Sequence, residues 1–153
     1  MEHPITWALI ANSNTAYIYD LTHKENLNKL GNHLVQHLGD PLARLKSSDL
    51  GSDEVGRYRS EGGPTSTFSP DTDPHQAEVQ HFAHLINDFL VKEHAKNHYK
   101  NLIVCAEPRF IGILEGIFAK QVKASITKNI HKDYIPLLKE SMNSFVEHFE
   151  KNL

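Results

Sequence analysis

Two short, uninterrupted apolar runs constrain this chain more than any other feature: Trp7-Ala8-Leu9-Ile10-Ala11 and Leu102-Ile103-Val104-Cys105. Four or five apolar residues without alternation suit a strand covered on both faces, which requires helices on either side of a sheet. The two runs are therefore predicted to be neighbouring strands of an α/β domain. The 153 residues are enough for one domain, spanning 1–153, that buries its core without disulfide or metal staples. The single cysteine excludes a disulfide framework and any cysteine-rich zinc module. A charged fraction of 23% and a net charge of −3 exclude a disordered acidic tail and a strongly basic nucleic-acid arm.

Asn12-Ser13-Asn14 reads as a turn into a second strand over residues 15–20, making a hairpin. Leu27, Leu30 and Leu34 leave residues 26–36 open between a third strand and a helix. Residues 47–74 are rich in glycine and proline and poor in large apolar side chains, a loop too long for a simple connector. Helix signals resume after Pro74, with Val79, Phe82, Ala83, Ile86, Phe89 and Leu90 on one face. Pro108 marks the start of another helix, whose apolar face is Phe110, Ile113, Leu114, Ile117 and Phe118. Val122, Ala124, Ile126 and Ile130 alternate with polar residues, predicting a half-buried edge strand guarded by lysines. Asp133 is read as the cap of one last helix carrying Ile135, Leu138, Met142, Phe145, Val146 and Phe149. The predicted order is β-β-β-α-β-α-β-α. This is a ribonuclease H-like, three-layer α/β arrangement, a mixed sheet with helices on its faces.

No segment reaches the roughly eighteen apolar residues needed to span a bilayer. Met1 to Pro4 lacks the charged-then-apolar start of a secretion signal, so cytoplasmic residence is expected.

Three motifs carry a family resemblance. Ser52-Asp53-Glu54-Val55-Gly56-Arg57 resembles the Ser-Asp-x-x-Gly-Arg element of the bacterial host-attachment protein family (proteins required for attachment to host cells). Ala106-Glu107-Pro108-Arg109-Phe110-Ile111-Gly112 is similar to that family's Pro-Arg-Phe-Leu-Gly helix start, and Lys132-Asp133 follows the last strand as its Lys-Asp pair does. The resemblance covers nearly the whole chain. It implies a distant relation to the middle domain of archaeal and eukaryotic class-one peptide-chain release factors. In those factors the long loop carries a Gly-Gly-Gln that promotes peptidyl-tRNA hydrolysis. Here the loop has Gly62-Gly63-Pro64, and Gln76 lies further on, so the glutamine has no direct counterpart.

Arg109 is the most informative single residue. A cation in the first turn of a helix opposes the positive end of the macrodipole, and a broken local rule points to function. With the helix N–H groups it can hold a phosphate or carboxylate; the alternative is a salt bridge to Glu107, Asp133 or Glu78. Asp53, Gly56 and Arg57 form a second candidate, either a binding loop or an Asp–Arg pair that only orders the loop. Lys132 and Asp133 are candidates by the same motif logic, beside the simpler reading of a solvated lysine and a helix cap. No catalytic residues are assigned. The chain has 11 histidines, of which His81 and His84 with Asp88 share a helix face, and His33 with His37 would do so on a helix. No further ligand set supports them, so surface histidines are expected, with no metal and no cofactor. Cys105 is read as a small buried hydrophobe. The first strand carries no carboxylate, which argues against a two-metal nuclease.

Residues 47–91 hold two arginines against eight acidic residues, net −6, whereas residues 92–132 hold eight Lys or Arg against three acidic residues, net +5. The basic stretch points to a non-enzymatic protein binding ribosomes or structured RNA, with Arg57 and Arg109 on phosphate, Lys132 assisting, and Asp53 and Gly56 shaping the loop. The alternatives are a hydrolase of peptidyl-tRNA or a related ester working through the 47–74 loop, and a factor needed for host-cell attachment. The sequence leaves the oligomeric state open.

Overall fold

The computed structural model describes residues 4–39 and 74–153. The first apolar run forms β1 (Thr6–Ala11), buried from Trp7 to Ala11. Asn12 ends it. Its side-chain oxygen accepts from the N–H groups of Asn14 (2.8 Å) and Thr15 (2.9 Å), and its own N–H donates to the Thr15 carbonyl. That local bonding turns the chain into β2 (Ala16–Asp20), antiparallel to β1 with Ala11 opposite Ala16. The stretch that sequence left open between helix and strand contains both, a 3-10 helix (Lys24–His33) followed by β3 (Leu34–Leu38), antiparallel to β2. Leu30, almost fully buried, anchors the 3-10 helix, and Gly31-Asn32 follow before the chain extends.

The helix after Pro74 is α1 (Pro74–Ala95), burying Val79, Phe82, Ala83, Ile86 and Leu90. It stops where Asn97 takes a left-handed conformation (φ 61°), which asparagine tolerates, while the His98 N–H returns to the Glu93 carbonyl. His98 Nδ1 also donates to the Glu93 carboxylate at 2.6 Å. The Tyr99 hydroxyl donates to the Leu90 carbonyl (2.8 Å), and its ring stacks on Trp7 at 4.8 Å. β4 (Asn101–Cys105) then runs parallel to β1, with Trp7 opposite Leu102. Next come α2 (Pro108–Ile117), α3 (Lys120–Ser125) and β5 (Ile126–Ile130), the last parallel to β4. The chain closes with α4 (Ile135–Glu140) and α5 (Met142–Glu150).

The sheet order is β3-β2-β1-β4-β5, and only β2 opposes the other strands. Trp7, Leu9, Ile18, Leu102 and Val104 pack on one face against α1, α2 and α3. Ala8, Ile10, Ile103, Cys105 and Ile130 pack on the other against Tyr134, Ile135, Phe145 and Phe149 from the α4–α5 region. β1 and β4 are thus covered on both sides and adjacent, as their composition predicts.

Two predicted elements need correction. The strand expected from Val122 begins only at Ile126; Val122 and Ala124 belong to α3. The N–H groups of Val122 and Lys123 both reach the Ala119 carbonyl, and Val122 is buried in the α1–α2–α3 layer. The single last helix is two. Ser141 is extended (φ −163°, ψ 125°), and its hydroxyl accepts from the Ser144 N–H, capping α5. The edge position of β5 agrees with expectation.

Three glycines differ in kind. Gly39 has φ +75°, and a Cβ there would lie 2.4 Å from the Asn14 carbonyl and 2.7 Å from the Phe82 ring, so no other residue fits. In α2, a Cβ on Gly112 or Gly116 would meet nothing within 4 Å. Each therefore destabilises its helix by about 1 kcal/mol relative to alanine, with no packing reason among the described residues. Gly112→Ala is expected to raise Tm by about 2–4 °C in a thermal melt.

The α1 terminus gives a pH prediction. The hydrogen bond from His98, aided by Lys96 at 3.6 Å, holds the Glu93 carboxyl below the usual carboxylate range. A depressed carboxylate stabilises the fold above its unfolded value, about 4.3, and that contribution is lost as pH falls through the lower folded value. Glu93→Gln is expected to flatten the fall of Tm across this acid window, below about pH 4.3, relative to the parent protein.

Candidate functional site

The parallel strands β1, β4 and β5 end on one edge of the sheet. The segments that follow them are the Asn12–Thr15 turn, Ala106–Arg109 and His131–Asp133. Between β1 and β4 the connections diverge: β1 leads to β2 on one side, and β4 leads through α2 and α3 to β5 on the other. Open α/β sheets bind ligands at such a divergence, outside the carboxyl ends of the strands. One hydrogen bond joins two of these segments: the Ala106 N–H donates to the Ile130 carbonyl at 3.1 Å, and the Lys132 N–H closes a local turn onto the same oxygen at 2.9 Å.

Arg109 lies in the first turn of α2, exposed, directly after Pro108. Glu107 holds the cap position with no side-chain hydrogen bond to the helix, so no side chain of its own caps the first-turn N–H groups. Among the described residues neither Glu107, Asp133 nor Glu78 forms an ion pair with Arg109. Lys132 is exposed as well. Asp133 is occupied locally: its Oδ1 accepts from the Ile135 N–H at 3.0 Å, tying down the first turn of α4, where Tyr134 holds the cap position. The structure thus brings Arg109, Lys132 and Asp133 to one edge through the β4–β5 pairing. Asp53, Gly56 and Arg57, with Gly62-Gly63-Pro64, lie outside the described residues. Gln76 is exposed in the first turn of α1.

His81, His84 and Asp88 are exposed on α1. His33 ends the 3-10 helix while His37 is in β3, so these two do not share a helix face. Among the described residues no three His, Cys, Asp or Glu side chains are placed to hold a metal ion. Burial pushes the Cys105 thiol well above its ordinary range, so it is not a nucleophile at neutral pH.

Sequence reasoning missed one polar cluster. His37 stacks on Tyr17 with ring centroids 4.3 Å apart, and its Nε2 lies 2.9 Å from the Thr15 hydroxyl, which also donates to the Leu38 carbonyl. Only the register that sets His37 opposite Tyr17 reveals it. Beside it, burial and the neighbouring Tyr17 push the Tyr19 hydroxyl up to about 12, so it stays neutral.

This edge offers exposed cations beside helix N–H groups, chemistry that holds an anionic group. Among the described residues no helix is long and apolar enough to cross a membrane. A comparison with curated proteins returns no match. The model of a family described as "Protein required for attachment to host cells" matches residues 7–144. That match spans β1 to the start of α5, and the chain belongs to the family of proteins required for attachment to host cells.

Proposed function

We propose that the protein is a non-enzymatic binding factor required for attachment to host cells, and that it grips an anionic group at the carboxyl edge of the sheet. The family match over residues 7–144 carries the attachment role. Arg57, Arg109 and Lys132 are assigned to the anion, Asp53 and Gly56 belong to the same sequence motif as Arg57, and Asp133 holds the turn beside Lys132. The support for this surface is the junction of β4 and β5 with exposed cations following each. We also infer the ribonuclease H-like architecture from the 3-2-1-4-5 strand order with β2 alone reversed. Cytoplasmic residence is part of the proposal, and cell fractionation tests it. Ribosome or RNA binding and peptidyl-tRNA hydrolysis draw no support from the family match and stand behind the attachment role.

A strain lacking the protein is expected to adhere poorly to host cells, and the wild-type chain to restore adherence. The variant Arg57→Ala/Arg109→Ala/Lys132→Ala is expected to restore roughly tenfold less, the effect of losing about 1.4 kcal/mol of binding. Normal adherence by the deletion strain would remove the role. Full rescue by the triple variant, expressed and folded, would remove the surface while leaving the role.

A further inference from the structure

Among the described residues nothing covers the outward side of α2. Arg109, Gly112, Glu115 and Gly116 are all exposed, and open space lies over both glycines. The charges on this side are self-complementary. Arg109 precedes Gly112 by three residues and Glu115 follows it by three, so each lies about 4.5 Å from Gly112 along the helix axis, in opposite directions. A two-fold axis beside Gly112 that sets two copies of α2 antiparallel brings Arg109 level with Glu115 of the partner subunit. The same operation brings Glu115 level with the partner subunit's Arg109. Gly116 of the partner subunit then lies where the Arg109 side chain must cross, and its missing Cβ leaves the guanidinium a path.

Neither charge has an ion-pair partner among the described residues. Arg109 has no ion pair among the described residues. The contact seen for the Glu115 carboxylate is a long 3.5 Å approach from Asn129 Nδ2, and Asn129 Oδ1 is itself buried without a donor. We propose that this face docks a second copy of the chain, as an antiparallel, isologous pair of α2 helices. Two reciprocal Arg109–Glu115 ion pairs flank a close glycine-lined crossing. Glycines permit such an approach because backbone meets backbone, with Cα–H···O contacts replacing side-chain packing. The face of a ten-residue helix is smaller than a standard interface, so the dimer is weak and concentration-dependent. The proposal shares Arg109 with the anion contact proposed above; Gly112, Glu115 and Gly116, which that contact does not use, tell the two apart.

Sedimentation equilibrium of the intact protein, from about 10 μM to about 1 mM, tests it. The expected result is a monomer–dimer equilibrium that weakens as salt is raised. Arg109→Glu and Glu115→Arg should each weaken association by roughly tenfold or more. The combined Arg109→Glu/Glu115→Arg variant should recover it to within about threefold, because the swap preserves complementarity across the two-fold axis. Gly112→Leu should abolish the dimer while circular dichroism shows the fold intact. A wild-type chain that stays monomeric throughout would overturn the proposal. So would a double swap no tighter than either single variant, or a dimer indifferent to Gly112→Leu.

Discussion

The parallel pairing of β1 with β4 is the contact on which the rest depends. Both strands are buried on both faces, so each must be hydrogen-bonded to neighbours along its length and covered by helices above and below. That requirement fixes where chemistry can reside. A carboxylate or free cation inside either strand would be desolvated without a partner, and neither strand contains one. Polar function is displaced to the strand ends, where Asn12 spends its side chain on a turn and Arg109 projects from the helix after β4. The Trp7–Tyr99 stack and the bond from Tyr99 to the Leu90 carbonyl lock the opposite end of the same pair.

What was legible in the sequence follows from that burial. A continuous apolar run has one satisfactory environment, so β1 and β4 could be read directly, as could their adjacency. α3 could not. Val122 and Ile126 fit an alternating strand, yet they are also four apart, the spacing of one helix face; tertiary burial of Val122 decided for helix. The last two helices read as one because Leu138, Phe145 and Phe149 keep helical phase across Ser141. Both helices bury onto the same aromatic cluster, so the break leaves the pattern undisturbed.

The candidate site was legible only in part, for a different reason. Pro108 marks a helix start in any context, so the exposed first-turn position of Arg109 followed from local rules. Whether a carboxylate answers that arginine depends on side-chain geometry between separate elements. Local pattern does not encode this, and Asp133 turns out to serve its own helix. The Tyr17–His37 stack belongs to the same class, since it exists only in one cross-strand register.

Geometry also decides what the basic segment can do. Its cations are divided among separate places. Lys96 and Lys100 flank the start of β4, at the edge opposite Arg109, while Lys120 and Lys123 ride on α3 ahead of β5. Lys128 donates to the Leu153 carbonyl at 3.0 Å. Arg109 and Lys132 remain at the carboxyl edge. Binding an extended polyanion depends on many phosphate contacts made along one continuous face. A net charge of +5 spread over two edges and a helix does not form that face, and at the carboxyl edge it leaves only the exposed Arg109 and Lys132. The composition that points to RNA therefore loses its force once the strands direct its lysines to opposite ends of the sheet.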